Sequence, residues 1–212
     1  MAIVLKSKKY NLNIDSKIII GLLGDNIDSF LNSFRGNNVL YASNILLNTI
    51  DINKEKYEEY YELLDIDKVM NKSIKELSHS EKKLLQYFLM IQSNSKIIII
   101  NEPYLDLDYS EKKKINIVFN KLIKEGKTII IGSHDTNVVY SLCKKVLLVS
   151  DNEIVYDNVN CLTNKDILNK YHLIMPDIVK FVALAKEKGV KISYTKDIRD
   201  LIKDVYRNVS KR

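Results

Sequence analysis

Apolar positions along this chain fall into two kinds of run. Ile18–Leu23 and the four consecutive isoleucines Ile97–Ile100 are unbroken and lack polar alternation, so they predict strands buried on both faces, as in a parallel sheet. Val39–Tyr41, Thr128–Ile131 and Lys145–Val149 predict further strands. Between them the spacing turns helical. Ser29–Phe34 predicts a short helix, and Lys54–Leu64 a charged, Tyr-rich amphipathic one that Asp65–Asn71 continues or follows. Ser78-x-x-Glu81 is a capping box opening a helix to about Gln92. Tyr109–Lys124 is a helix ended by Gly126, and Asp135–Cys143 another. Val149–Tyr156 reads as a hairpin whose tight turn uses Asn152. From about Thr163 only helices follow: Asp166–Tyr171, Pro176–Lys188 and Thr195–Tyr206. Strands alternating with helices predict an α/β fold with a mainly parallel sheet and right-handed crossovers over residues 1–160, then a small helical module over 161–212.

Composition narrows the class. A chain of 212 residues, 46% hydrophobic and 28% charged, has the make-up of a folded globular protein. No stretch reaches the ~20 apolar residues that span a bilayer, and Met1–Tyr10 has no apolar core of a signal peptide. Cys143 and Cys161 have no metal-ligand spacing and suit a reducing cytoplasm as packing residues. A net charge of +6 would suit an anionic partner, but the basic residues are interleaved with acids (Lys54-Glu55-Lys56-Tyr57-Glu58-Glu59) and form no aromatic-lined patch, so no nucleic acid is expected.

One ordered constellation carries chemistry. It runs Leu77-Ser78-His79-Ser80-Glu81, then Ile97–Ile100-Asn101-Glu102-Pro103, Leu107-Asp108, and Thr128–Ile131-Gly132-Ser133-His134-Asp135, with Gly21-Leu22-Leu23-Gly24-Asp25-Asn26 upstream after a strand. Each piece is common by itself; together, in this order and spacing, they resemble an ABC-type ATPase. The matching family motifs are the signature, the Walker B strand, the D-loop, the H-loop and the phosphate loop. The C-terminal stretch from Met175-Pro176-Asp177 to the last helix further resembles that of energy-coupling factor (ECF) transporter ATPases. The resemblance implies a P-loop NTPase-like sheet, a helical subdomain inserted over about 45–90, ATP and magnesium as ligands, and a cytoplasmic place on the inner face of the membrane. It implies as partners an integral membrane transporter subunit and a second ATPase subunit, met head to tail.

Against that pattern the chain departs where ATP is held. A phosphate loop needs glycines for backbone approach, a lysine for the β- and γ-phosphates, and a hydroxyl for Mg²⁺. The family frame falls on Gly24, Asp25, Asn26, Ile27, Asp28, Ser29, Phe30 and Leu31, so Ser29 replaces a glycine, Phe30 the lysine and Leu31 the hydroxyl. Asn101 stands at the magnesium-linked aspartate, leaving no metal ligand there. Glu102 and His134 match the water-polarising and γ-phosphate-contacting positions; without the lysine and magnesium they are better explained by a solvated strand-end carboxylate and a polar junction residue. Ser78 matches the signature serine, with His79 and Ser80 in place of glycines, and its capping box with Glu81 explains the same residues without a ligand. Asp108 matches the D-loop aspartate of the dimer interface. No glutamine stands in Val39–Asn44 for a Q-loop, and the segment between Phe34 and Val39 is too short for the family's antiparallel subdomain. The expectation is a degenerate ABC subunit paired with an intact ATPase. Two other readings stay open: a divergent but active ATPase, and a soluble regulatory protein of the same fold unrelated to transport.

Overall fold

The computed structural model describes residues 2–6, 11–34, 39–42, 52–150 and 153–209. The chain divides into two compact units, Met1–Ile19 with Asp28–Gly132, and Ile20–Ile27 with Ser133–Arg212.

In the first unit the strands β4 (Val39–Tyr41), β5 (Ile97–Asn101) and β6 (Thr128–Gly132) pair parallel in that order. Ile97 to Ile100 are all buried, as an isoleucine run without alternation requires. Helix α4 (His79–Ile91) lies between β4 and β5 in the chain and α5 (Tyr109–Lys124) between β5 and β6, so each parallel step has a crossover. Both helices are amphipathic. Leu84, Leu85, Phe88 and Ile91 of α4 and Ile115, Val118, Phe119 and Leu122 of α5 are buried, and the rings of Tyr87 and Phe119 meet edge to face at 5.8 Å.

The Tyr-rich segment is not one helix. A 3₁₀ turn over Glu55–Tyr57 leads into α2 (Glu58–Leu63), and Asp65, left-handed at φ 53°, separates it from α3 (Ile66–Met70). Tyr60 and Tyr61 are buried, and Tyr61 meets Phe88 edge to face at 5.5 Å, which docks α2 on α4. A two-stranded antiparallel sheet, β1 (Ala2–Lys6) with β2 (Asn11–Asp15), was not foreseen from the pattern. The segment 35–38, residues 43–51 at the start of the inserted helices, and the hairpin turn 151–152 lie outside the described residues.

In the second unit β3 (Ile19–Gly24, counted from Ile20) runs parallel to β7 (Lys145–Ser150), and β8 (Glu153–Asn158) is antiparallel to β7. Helix α6 (Thr136–Leu142) crosses Gly21 so closely that a Cβ there would lie 2.2 Å from Val139 Cγ1. After a 3₁₀ turn at Val159–Thr163 come α7 (Lys165–Lys170), α8 (Asp177–Glu187) and α9 (Ile198–Val209). Val182, Ile192 and Leu201 form a small core of their own, with Ile178, Ala185 and Val190 against it. Thr136 Oγ1 donates to the Ile174 carbonyl at 2.7 Å and the Asp177 N–H to Asn137 Oδ1 at 2.7 Å, so the segment entering α8 is tied to α6. Among the described residues no helix is long and apolar enough to cross a membrane.

Candidate functional site

The loop that the sequence pattern marks for phosphate follows β3. In the second unit Gly24 has φ 115°, and a Cβ there would lie 1.9 Å from the Val149 carbonyl oxygen. The Asp25 N–H donates to that same oxygen at 2.9 Å. Glycine is needed here for the close passage of β7, and one loop N–H is already engaged with the sheet. Asn26 is left-handed at φ 53° and turns the chain into α1 (Ile27–Leu31); Ile27 is buried.

In the first unit, the rest of the loop faces two ways. Asp28 and Ser29 are exposed, whereas Phe30 and Leu31 are only 5% and 3% exposed. The Phe30 ring meets Phe34 edge to face at 5.0 Å. The Tyr41 hydroxyl donates to the Leu31 and Phe34 carbonyls, holding the end of α1 from below. Asn101, the last residue of β5, donates its side-chain N–H to the Asp28 carboxylate at 2.5 Å. An amide thus bonds one oxygen of the loop's own carboxylate.

Glu102 follows at φ 44°, its N–H donating to the Gly132 carbonyl at 2.8 Å. Its carbonyl accepts from Lys83 Nζ of α4 at 3.0 Å, and the Tyr87 hydroxyl donates to the Pro103 carbonyl at 2.6 Å. Burial lowers the Lys83 pKa, opposed by the charges of Asp106 and Glu102. Lys83 was missed in the sequence because a lysine on an amphipathic helix reads as solvated; only the topology brings α4 to the end of β5. His134, in the second unit, is exposed between buried Ser133 and Asp135, whose carboxylate accepts from the Asn137 N–H at 2.8 Å and caps α6.

The signature and the D-loop aspartate come together. A hollow of about 590 Å³ in the first unit is lined by Leu77, Ser78, Ser80, Glu81 and Asp108 among others. Ser78 Oγ accepts from the Glu81 N–H at 3.2 Å and Glu81 accepts from the Ser78 N–H at 2.8 Å, closing the capping box in both directions. Lys72 lies 2.6 Å from Glu81 and is the main cause of that carboxyl's lowered pKa. His79 is exposed, with Nδ1 3.9 Å from Asp106. Asp108 forms a second capping box with Glu111, 2.8 Å each way, and so starts α5. Asp-x-x-Glu was legible in the sequence by the same rule that identified Ser78 and Glu81. Among the described residues, no three His, Cys, Asp or Glu side chains stand together to hold a metal.

Comparison with solved structures returns the same architecture. At a TM-score of 0.58 and 15% identity, the chain overlies an ABC transporter assigned to the metal-chelate type, in an inward-facing conformation, over 80% of its own length and 87% of the other. An RNase-L inhibitor matches at 0.53 and 17%, covering 69% of this chain and 36% of the other. This is the ABC-type ATPase fold. The relatives in sequence are ABC proteins as well. The energy-coupling factor transporter ATP-binding protein EcfA2 of Mesomycoplasma hyopneumoniae is 27% identical over 156 residues, 72% of this chain and 52% of that protein. The EcfA3 protein of Oenococcus oeni is 23% identical over 158 residues, 73% of this chain and 55% of that protein. A protein of Pyrococcus furiosus named as an ABC transporter ATP-binding protein is 33% identical over 93 residues, 44% of this chain and 34% of that one. The chain therefore spans from about a third to about half of the length of these relatives. No family model matches it.

ABC-type ATPases imply ATP and Mg²⁺, and the residues present do not fit them. Where the sequence pattern expects the lysine, the hydroxyl and the magnesium ligand, the structure has Phe30 packed into the core, a buried Leu31, and the Asn101 amide bonded to Asp28. Two exposed aspartates, Asp25 and Asp28, stand in the loop itself, where a polyphosphate would meet like charge.

Proposed function

We propose that this chain is the ATP-binding-cassette subunit of a membrane transporter, of the ECF importer type, whose own nucleotide site is degenerate and which works paired with an intact ATPase. The observation that carries the reading is Phe30. A phosphate-loop lysine has to reach outward to its ligand, and here the side chain at that position is buried against Phe34. Phe30 serves the core of the first unit, a role that a lysine's charge would oppose. The similarity to EcfA2 and EcfA3 supports the transporter class, and the ABC fold supports an ATPase-type partner. Pairing is assigned to the face bearing Ser78 and Asp108, with an integral membrane subunit as the second partner. Glu102 and His134 keep family positions with no nucleotide of their own to act on.

Isothermal titration of the purified chain with ATP and Mg²⁺ tests the degenerate site. The expected result is no binding at micromolar concentrations. A Kd below ~10 μM, about −7 kcal/mol, would overturn it and restore the reading of a divergent active ATPase.

A further inference from the structure

The C-terminal helices leave an apolar trough uncovered. Two adjoining hollows, of about 410 and 590 Å³, lie between α8 and α9 and share Phe181 and Val205 as walls. Their floor is Ile178, Phe181 and Ala185 from α8 with Leu201, Ile202 and Val205 from α9. Phe181, Ile198, Ile202 and Tyr206 remain 49%, 64%, 48% and 69% exposed, an expensive surface for a chain that uses it for nothing. At 1.5 Å per residue, walls of 11 and 12 residues make a trough about 17 Å long, the length of three helical turns.

Charge says what fits it. Residues 161–212 hold twelve of the 33 Lys and Arg but six of the 27 Asp and Glu, so the entire net charge of +6 resides there. On α9 the helical spacing sets Arg199 and Lys203 along the flank of the Ile202–Tyr206 stripe, puts Asp204 on the other flank beside Leu201, and leaves Asp200 and Arg207 on the far side. Lys188 caps the end of α8, seven residues beyond Phe181, and Lys191 lines the trough near the same end; neither makes an ion pair among the described residues. The pairs that Arg199 and Lys203 make with Asp197 and Asp200 lie at the exposed surface, so both cations stay within reach of a partner's carboxylates. The one acid in the trough, Asp177, marks the opposite end from Lys188 and Lys191.

We infer that the trough between α8 and α9 is a docking site for an acidic amphipathic helix of another protein. Its apolar side chains fill the two hollows and its carboxylates meet Arg199, Lys203, Lys188 and Lys191. This is the groove mode of helix recognition, with an apolar floor and charged rims. A second copy is disfavoured because it would bring another +6 against the same rims. A flat lipid surface would leave the concave floor unfilled. None of the trough's lining residues belongs to the nucleotide motifs, so the inference holds whether or not the chain binds ATP.

The probe is a designed peptide of about 14 residues with leucines on one face and glutamates on the other, and its glutamate-to-lysine twin as control. With the full chain, fluorescence anisotropy is expected to give micromolar binding of the acidic peptide and none of the basic one. Ile202→Asp and, independently, the exposed rim change Lys203→Glu should each weaken binding about tenfold. Circular dichroism reports that both variants keep the fold. Equal binding of the two peptides, or binding indifferent to both variants, overturns the inference. So does self-association by sedimentation, or capture by phosphatidylglycerol vesicles, that either variant abolishes while the acidic peptide fails to bind.

Discussion

At the scale of single residues, the decisive positions are those whose side chains face inward where the ABC pattern needs them outward. Phe30→Lys restores the motif letter but places an ammonium where a ring packs on Phe34. It is expected to cost about 3 kcal/mol in a urea melt and to give no ATP binding by titration calorimetry, because the stem starts in the core. Gain of micromolar binding without loss of stability would show that α1 rotates freely and that the burial of Phe30 is incidental. Asp197 makes a second residue-scale case. Its carboxylate accepts from the Arg199 side chain and backbone N–H, which lowers its pKa from 3.8 to about 2. The folded state therefore favours the ionised form. The stabilisation is present above pH 3.8 and disappears as pH falls toward 2. A carboxyl-carbon NMR titration should place the Asp197 midpoint near 2 and return it to ordinary values in Arg199→Ala; a midpoint near 3.8 in the parent chain would contradict the contact.

At the scale of elements, the helix starts carry more than sequence alone revealed. Ser78 and Asp108 both close capping boxes, so Ser78→Ala and Asp108→Ala should each cost about 1 kcal/mol in chemical denaturation, even without any partner. A silent Asp108→Ala would mean that its carboxylate is held for an interface instead. Strands were the most legible part of the fold, since runs such as Ile97–Ile100 admit one environment. Helices α4 and α5 were legible from their caps and spacing. The break at Asp65 was not, because a left-handed non-glycine residue leaves no mark in an amphipathic pattern that continues through it. The β1–β2 ladder was also illegible: Asn11–Asp15 is rich in residues that disfavour strands, and long-range pairing overrides such propensities. For the site, the motif letters marked Gly24, Asn101 and Asp108 along the chain but gave no sense of what each touches. That Asn101 bonds Asp28, or that Lys83 reaches the Glu102 carbonyl, follows only from the packing of elements distant in sequence.

At the scale of the whole molecule, the question is whether the face bearing Ser78 and Asp108 meets an intact ATPase. In a head-to-tail pair of ABC subunits one composite site would use this chain's loop and the other the partner's, and only the second could hold ATP. The polar groups of Ser78 are engaged in its own cap, so this chain would offer a closed helix start with Lys72 beside it instead of a free serine. ATP then tightens the pair only to the extent that it favours the closed state over the open one. The test is co-expression with an intact ABC ATPase of the same genome and measurement of association with and without ATP. Ser78→Asp is the discriminating variant. Aspartate caps a helix as well as serine does, so the isolated chain should melt like the parent, but its charge would stand against the partner's γ-phosphate. The expected outcome is that ATP strengthens association of the parent pair about tenfold or more, on the usual scale of coupling between sites, and that Ser78→Asp removes the gain. Association that is absent, or that keeps its ATP dependence in Ser78→Asp, would remove this face from the proposal and bring forward a regulatory role for the fold outside transport.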